Sequence, residues 1–246
     1  MATIRHLGII GGTALEALPL ENREKHEIKT PWGDPSGVVH CGAIGATRIA
    51  FINRHGDDHS IPPHGVNYQA NIAALQQLEV DAIIAVNAVG GINPAMPPGA
   101  LVLPDQLVDY TWGRIQTYSH GADDVLRHVD FSLPYCGALQ QKLQAAARAR
   151  NIALMVGGVH GVTQGPRLET AAEIVRMERD GCDLVGMTGM PEAALARELG
   201  IAYVCIALVV NPAAGKSERE ITMAEIAAVM AKTAPKVVAL LTSFCQ

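Results

Sequence analysis

The sequence predicts an α/β fold: a single domain over residues 1–246, built as a three-layer sandwich with a mixed, largely parallel central sheet flanked by helices. Short β-branched apolar runs alternate with segments of helical spacing along the chain. Several runs are apolar on both faces, as is typical of strands in a sheet covered on both sides. No internal repeat, linker or low-complexity tract divides the 246 residues, a length that one α/β domain can reach.

Six apolar runs are predicted as strands. In chain order they are Leu7–Ile10, Arg48–Ile52, Ala82–Val86, Leu101–Leu103, Leu184–Met187 and Ile201–Val210. Five segments with helical spacing lie between or after them, and they are Val66–Leu78, Gly137–Arg150, Thr170–Asp180, Pro191–Leu199 and Thr222–Phe244. Pro191 suits a first helical turn, and we expect Pro235 to kink or split the last helix.

The composition excludes several classes of protein. Apolar residues make up 49% of the chain and the net charge is -5, so the sequence has no basic field for nucleic acid. Five scattered cysteines without a Cys-x-x-Cys pair predict free thiols in a reducing compartment. The N-terminus lacks the apolar core of a signal peptide, and the longest apolar run, Ile201–Val210, is too short to span a bilayer. We therefore expect a soluble cytoplasmic protein with neither nucleic-acid nor membrane partners.

Five segments rich in small or polar residues follow predicted strands, where open α/β sheets bind their ligands. They are Gly11-Gly12-Thr13, Arg54-His55-Gly56, Asn87–Gly91, Thr188-Gly189 and Asn211–Gly215. The first could bind an anion through backbone N–H groups, or form a plain strand-to-helix turn. In the second, a guanidinium could hold an oxyanion with two parallel N–H bonds while the imidazole adds a donor. The alternative is a surface arginine beside a structural histidine.

Other chemistries find less support in the sequence. The cluster of His55, Asp57, Asp58, His59 and His64 contains natural zinc ligands, but its spacing matches no zinc motif, so we predict no bound metal. The chain also lacks a Gly-x-Gly-x-x-Gly or Walker pattern after its first strand and a Gly-x-Ser-x-Gly nucleophile motif.

Five stretches, in this order, resemble the trimeric purine nucleoside phosphorylase and methylthioadenosine phosphorylase family over nearly the whole chain. They are Ile9–Thr13, Arg54–Gly56, Val66–Asn71, Gln164–Arg167 and Met187–Glu192. The resemblance implies the nucleoside phosphorylase fold, a homotrimer, and phosphorolysis through a ribosyl cation of oxocarbenium character. Inorganic phosphate would be the co-substrate, and no metal or organic cofactor would be needed.

The resemblance also implies the roles of individual residues. Phosphate would be surrounded by Thr13, Arg54, His55, Asn87, Ala88 and Thr188, and Met187 would lie beside the ribose. Asn211 would be the catalytic residue, because its amide could donate to the purine N7 as negative charge grows there. The alternative is an asparagine that merely opens the turn before Pro212.

The choice of purine rests on three positions. The methylthioadenosine enzymes have aspartates at the places matching Asn211 and Ala213, and both carboxylates are missing here. Glu169 lies where 6-oxopurine phosphorylases carry a glutamate that can accept the N1 hydrogen. Together these residues favour hypoxanthine or guanine over adenine, because the inverted donor and acceptor pattern would leave buried groups unpaired.

At the 5′ end of the sugar, the family likeness implies an apolar wall. Its residues would be Leu168, Met223 and Ile226, completed by His59 and by His128 of a neighbouring subunit. Met223 and Ile226 also have the spacing of ordinary helix core positions. A 6-oxopurine site with an apolar 5′ pocket resembles the bacterial methylthioinosine phosphorylases. It predicts cleavage of S-methyl-5′-thioinosine to hypoxanthine and 5-methylthioribose 1-phosphate in purine salvage.

Four alternatives stay open from the sequence. The nearest is a phosphorylase of inosine or guanosine, and a methylthioadenosine phosphorylase is less favoured. A purine-binding module without turnover and a metal hydrolase that uses the histidine cluster are the other two.

Overall fold

The computed structural model describes residues 3–12, 15–119 and 126–246. In these residues the strands are β1 (His6–Gly11), β2 (Glu21–His26), β3 (Val39–Ile44), β4 (Thr47–Asn53), β5 (Ala82–Gly91), β6 (Leu101–Leu103), β7 (Gln106–Asp109), β8 (Met155–Val156), β9 (Val159–Val162), β10 (Leu184–Gly186) and β11 (Ala202–Pro212). The helices are α1 (Tyr68–Gln77), α2 (Gly137–Ala149), α3 (Ala171–Arg179), α4 (Glu192–Glu198) and α5 (Met223–Cys245), with a short 3-10 turn at Pro63–Gly65.

All of these strands belong to one mixed sheet. Its main path runs β2-β3-β4-β1-β5-β10-β9-β7, and β11 pairs with β5 and with β6, which in turn pairs with β8. The pairings of β1 with β4 and β5, of β5 with β11, of β9 with β7 and β10, and of β6 with β8 are parallel. Those of β2 with β3, β3 with β4, β5 with β10 and β6 with β11 are antiparallel. The predicted mixed, largely parallel sheet is confirmed.

The central strands are buried on both faces, which produces the three layers. Because side chains alternate along a strand, Leu7 and Ile9 of β1 belong to one apolar cluster and Ile10 to the other. Helices α1 and α4 cover the face of Ile10, and α2 and α5 cover the opposite face. Helix α3 packs on a smaller cluster with Ile92 and Val185.

The structure contains all the predicted helices and strands and corrects their limits. Strands β5 and β11 extend beyond the predicted ends, so Asn87–Gly91 lies inside β5 and Asn211 inside β11. Five strands were not predicted: β2, β3, β7, β8 and β9. The expected split of the last helix at Pro235 is wrong, since α5 continues through it. Thr170 caps α3, accepting from the Glu173 N–H while the Glu173 side chain accepts from the Thr170 N–H.

Helix α5 is long and apolar, and it packs in the core. Within the described ranges it is long and apolar enough to cross a membrane by length and composition, a test that a core helix of a soluble protein also passes. Its Val237, Leu240 and Leu241 are buried in the apolar cluster shared with α2.

One histidine is enclosed in the sheet next to the turn that follows β10. His160 of β9 is fully buried, packs against Gly186 and Gly189, and neither ring nitrogen has a hydrogen-bond partner among the described residues. Burial and then the charge of Arg54 lower the pKa of His160 from 6.5 to about 4. The ring is therefore neutral in the folded protein at neutral pH.

This burial predicts an acid-dependent loss of stability. His160 takes up a proton near pH 6.5 in the unfolded chain but only near pH 4 in the folded chain. The contribution of the neutral His160 to the free energy of unfolding is therefore complete above pH 6.5 and is lost as the pH falls to about 4. The difference is about 3 kcal/mol of unfolding free energy. His160→Met should reduce the fall in unfolding free energy between pH 7 and pH 4 by about that amount, measured by urea denaturation. His26→Met, on the exposed strand β2, is the matched control. The prediction would be contradicted if the unfolding free energy of His160→Met fell with pH as steeply as that of the wild type.

Candidate active site

A cavity of about 490 Å³ opens where several strands end. Gly12 follows β1, Arg54 and His55 follow β4, Thr188 follows β10, and Asn211 lies near the end of β11. The predicted site residues that line this cavity are Arg54, His55, His59, Ala88, Leu168, Glu169, Met187, Thr188, Asn211, Met223 and Ile226. Eleven of the fifteen predicted site residues therefore line one cavity.

Four predicted residues are not among the lining residues. Asn87 is buried directly behind the wall. Ala213 is buried in the small cluster beneath α3, and its N–H donates to the Gly91 carbonyl at 2.8 Å. His128 is exposed and is not among the residues that line the cavity. Thr13 lies outside the described residues.

A second cavity of about 420 Å³ has a different lining. It is bordered mainly by polar residues, and of the predicted site residues that the structure describes it shares only Glu169 with the first cavity. The larger cavity is therefore the candidate active site.

The Arg54 guanidinium is committed almost entirely to the protein. The Glu192 carboxylate accepts from Nε through one oxygen and from Nη2 through the other, the latter at 3.0 Å. The Val86 carbonyl accepts from Nη1 at 3.0 Å, and the Ile10 carbonyl accepts from Nη2 at 3.4 Å. Among the described residues, four of the five N–H groups have an acceptor, and one N–H on Nη1 remains. The predicted grip on an oxyanion by two parallel N–H bonds is thus not available, because Glu192 occupies that edge.

The His55 ring is oriented by a backbone carbonyl. Its Nδ1 lies 2.8 Å from the Ile61 oxygen, which only accepts, so Nδ1 carries the proton. Burial and then the charge of Arg54 lower the pKa of His55, which keeps the ring neutral near pH 7. The remaining nitrogen, Nε2, is then an acceptor, and the expectation of a third donor fails for the neutral ring. An acceptor at this place can bind the O–H of a protonated anion.

Thr188 is held from below by a buried amide. Asn87 Nδ2 donates to Thr188 Oγ1 at 2.7 Å, and the Cys205 thiol donates to Asn87 Oδ1 at 3.4 Å. Because its oxygen accepts from Asn87, the Thr188 hydroxyl keeps its own proton to donate elsewhere. Asn87 therefore supports Thr188 from a position behind the cavity wall.

Two further polar side chains that line the cavity, Glu169 and Asn211, each keep hydrogen-bonding capacity. The Thr163 hydroxyl donates to Glu169 Oε1 at 2.6 Å, which leaves Oε2 to accept. Asn211 Nδ2 donates to the Pro212 carbonyl at 2.7 Å, which leaves its second N–H to donate. The cavity wall thus presents one amide donor, on Asn211, and one carboxylate acceptor, on Glu169.

The rest of the cavity is mainly apolar. Ile226 is buried in the wall, whereas Met223 is 72% exposed at the mouth. The sequence did not identify several other apolar lining residues, which include Leu15, Leu208, Val210, Ile221, Met230, Ala234 and Val237.

Arg114 is a supporting residue that sequence reasoning missed. Its Nη1 donates to the Met187 carbonyl at 2.8 Å and to Tyr68 Oη at 3.1 Å, and its Nη2 donates to the Gln164 carbonyl at 2.8 Å. One guanidinium thus ties the loop after β9 to the turn after β10 and to α1. Arg114 lies outside every apolar run and motif, so the sequence contained no local signal for it.

The histidine and carboxylate cluster that resembled a metal site is not assembled as one. Within residues 3–12, 15–119 and 126–246, no group of three or more His, Cys, Asp or Glu side chains is arranged to hold a metal ion.

Comparison with known proteins defines the class of this fold and site. A family model described as the phosphorylase superfamily matches residues 6–246, and the chain belongs to that family. The resemblance noted in the sequence is confirmed.

Three individual proteins are similar to the chain over most of its length. A probable S-methyl-5′-thioinosine phosphorylase of Xanthomonas campestris pv. campestris is 54% identical over 222 residues, 89% of each chain. The 6-oxopurine nucleoside phosphorylase of Pyrococcus furiosus is 42% identical over 240 residues, 96% of this chain and 90% of the relative. The solved structure of methylthioadenosine phosphorylase from Schistosoma mansoni in complex with adenine matches with a TM-score of 0.92 at 31% identity, covering 98% of this chain and 90% of that one.

The contacts of Arg114 predict how the cavity wall responds to its loss. Arg114→Lys keeps the charge but loses the planar fork that reaches several carbonyls, so the loop after β9 should loosen. We expect the thermal midpoint to fall by about 5 °C and amide exchange in residues 163–170 to accelerate at least about tenfold. Arg176→Lys is the matched control, because Arg176 also stacks on a tyrosine but is largely exposed. Equal exchange rates in the two variants would contradict the role given to Arg114.

Proposed function

We propose that this chain catalyses the phosphorolysis of S-methyl-5′-thioinosine, giving hypoxanthine and 5-methylthioribose 1-phosphate. The observation that carries the proposal is the composition of the cavity. It combines an anion-binding end at Arg54 and Thr188, a donor and acceptor pair at Asn211 and Glu169, and a long apolar wall. Each part corresponds to one part of this substrate pair.

Inorganic phosphate would bind at the strand ends near Arg54, His55 and Thr188. The remaining Nη1–H of Arg54 and the Thr188 hydroxyl would donate to phosphate oxygens, and the O–H of the phosphate dianion would donate to His55 Nε2. Thr13 and the backbone around Ala88 would complete the phosphate site, as the family likeness implies. Holding the anion beneath the sugar supplies proximity and stabilises the developing cation.

Bond cleavage would proceed from this arrangement. A phosphate oxygen forms a bond to C1′ of the sugar while the C1′–N9 bond breaks, and the electron pair of the C1′–N9 bond leaves with the purine. The proton that the phosphate hydroxyl loses balances the charge and ends on the purine, which is released as neutral hypoxanthine. The free N–H of Asn211 donates to N7 and relieves the growing negative charge, and Glu169 Oε2 accepts the N1 hydrogen of a 6-oxopurine. Adenine, which has no N1 hydrogen in its neutral form, would leave Glu169 without that partner.

The 5′ substituent would lie against the apolar wall. Leu168, Ile226 and Met230 offer apolar surface to a thiomethyl group, and a hydroxyl packed against these three side chains would gain no hydrogen bond from them. His59 and Met223 at the mouth would close this pocket, with Met187 beside the ribose. The relatives named as methylthioinosine phosphorylases support the same choice.

A phosphorylase of inosine or guanosine is the second candidate function. It is favoured by the 42% identity to the Pyrococcus furiosus 6-oxopurine nucleoside phosphorylase, which spans 96% of this chain. The two functions share the phosphate and purine contacts and differ in the 5′ group that the apolar wall accepts.

The deciding experiment measures base release from S-methyl-5′-thioinosine, inosine and methylthioadenosine, each with and without phosphate, and compares kcat/KM. We expect phosphate-dependent cleavage with methylthioinosine preferred. A higher kcat/KM for inosine would establish the second candidate, and a higher value for methylthioadenosine would overturn the interpretation of Asn211. Base release without phosphate would exclude a phosphorylase.

Asn211→Asp separates the two tasks of this side chain. The carboxylate cannot donate to N7, so kcat/KM for methylthioinosine should fall about a hundredfold. It can accept the 6-amino hydrogens of adenine, so the ratio of methylthioadenosine to methylthioinosine cleavage should rise at least about tenfold. Asn151→Asp, at the exposed turn after α2, adds the same charge elsewhere and is the control. An unchanged substrate ratio in Asn211→Asp would refute this role.

We also propose that the enzyme is a cytoplasmic homotrimer of single-domain subunits acting in purine salvage, in which His128 of one subunit completes the 5′ pocket of the next. Family likeness supports the trimer, and Trp112, Ile115 and Leu133 are large apolar side chains left exposed on a single chain. The membership of every described strand in one sheet supports the single domain. Sedimentation equilibrium at micromolar concentration tests the trimer, and a monomeric mass would contradict it.

A further inference from the structure

Arg54 of the proposed phosphate site is oriented by a residue that lies far away in sequence. Arg54 is 2% exposed and Glu192, at the start of α4, is 0% exposed. A buried guanidinium needs a paired anion, and a carboxylate that meets it along one edge supplies both charge and direction. Burial opposes the charged form of Arg54, but Glu192 outweighs it and raises the pKa of Arg54 above its ordinary value. The pair is therefore ionic and geometrically defined.

The Glu192 carboxylate is itself held by a third side chain. The Tyr203 hydroxyl, from β11, donates to Glu192 Oε2 at 3.0 Å. Burial raises the pKa of Tyr203 well above its ordinary value, so the hydroxyl remains a donor. One carboxylate oxygen accepts from Arg54 Nε, and the other accepts from both Arg54 Nη2 and Tyr203. The carboxylate thus has two fixed neighbours, one on β11 and one beyond β4.

The hydrogen bonds of Arg54 determine which atom is left for a ligand. Glu192 and the Ile10 carbonyl take Nε and both hydrogens of Nη2, and the Val86 carbonyl takes one hydrogen of Nη1. Rotation of the guanidinium would break the contacts with Glu192. No acceptor in the described part of the chain meets the second Nη1–H, which is consequently the donor that Arg54 can offer to the cavity it lines.

The position of Glu192 also couples the two strand ends that would enclose phosphate. Arg54 follows β4, and Thr188 lies three residues before Pro191, the N-cap of α4. The ion pair therefore joins the segment after β4 to the turn after β10.

We propose that Glu192 is a positioning residue for phosphate: acting through Arg54, and held by Tyr203, it directs the remaining Nη1–H of the guanidinium toward the phosphate oxygen. This inference rests on the proposed phosphorolysis. The inference gives Glu192 a contact with Arg54 and assigns it no contact with the substrate.

Two matched pairs of variants test it. Tyr203→Phe removes one donor to Glu192 and should raise the KM for phosphate about threefold to tenfold, and Glu192→Gln should raise it more than about tenfold. The KM for the nucleoside should stay within about twofold of the wild type in both, because neither residue lies among those lining the purine end. A loss of structure alone would not produce this division between the two substrates.

The controls come from neighbouring positions. Tyr135 is equally buried and stacks on Tyr203 with ring centroids 6.2 Å apart, but its hydroxyl has no partner among the described residues. Tyr135→Phe should leave the phosphate KM unchanged. Glu198, on the same helix as Glu192, accepts from Thr117 and Tyr118, so Glu198→Gln should affect stability without changing the phosphate KM.

The outcomes separate this inference from the proposed function. A raised phosphate KM in Tyr203→Phe but not in Tyr135→Phe supports it, even if Glu192→Gln fails to fold. A Tyr203→Phe enzyme with the wild-type phosphate KM, or with equal changes in the KM for both substrates, overturns it while leaving phosphorolysis intact. A wild-type enzyme whose base release does not depend on phosphate overturns the proposed function and this inference together.

Discussion

The parallel pairing of β5 with β11 is the constraint on which the rest of the structure depends. The pairing runs from Ala202 opposite Ala82 to Pro212 opposite Gly91, and it is interrupted by a register shift between Val209 and Asn211. Such a bulge adds one residue to a strand and re-aims the side chain that follows. Asn211 consequently lines the cavity from inside a strand, where neighbouring hydrogen bonds restrict its backbone more than a loop would.

The buried ion pair of Arg54 and Glu192 is also connected to β11. β11 contributes Tyr203 to the carboxylate of Glu192 and, eight residues later, Asn211 to the cavity wall. A single strand thus supports both the group expected to orient Arg54 and the group expected to meet the purine. The two groups are therefore held at fixed positions on one strand of the sheet.

The sequence predicted the fold class because the central strands must be apolar on both faces. It missed β2 because Glu21–His26 is polar and exposed along its whole length, as an edge strand can be. It missed β9 because Val159–Val162 contains His160 and Gly161, which interrupt any apolar run. It placed Asn87–Gly91 after a strand, since polar and glycine residues usually end one, whereas pairing with β11 continues β5 through them.

The residues of the candidate site were predictable to the extent that they stand at strand ends. Their partners were not, because those contacts join positions far apart in the chain: Arg54 and Glu192 are separated by 138 residues, and Arg114 and Met187 by 73. Local pattern predicted Arg54 as an anion ligand but could not show that most of its donors are already used. The roles assigned to Asn211, Glu169 and the apolar wall remain predictions.

The pairing of Arg54 with Glu192 has a consequence for how phosphate reaches the cavity. A free guanidinium would attract anions from a distance, but a neutralised pair within a chain of net charge -5 creates little long-range attraction. Phosphate would arrive by unassisted diffusion, and its association rate would depend only weakly on ionic strength. Other anions would gain no advantage from charge alone, so selection would occur at contact, through the geometry of the few remaining donors and of the His55 acceptor.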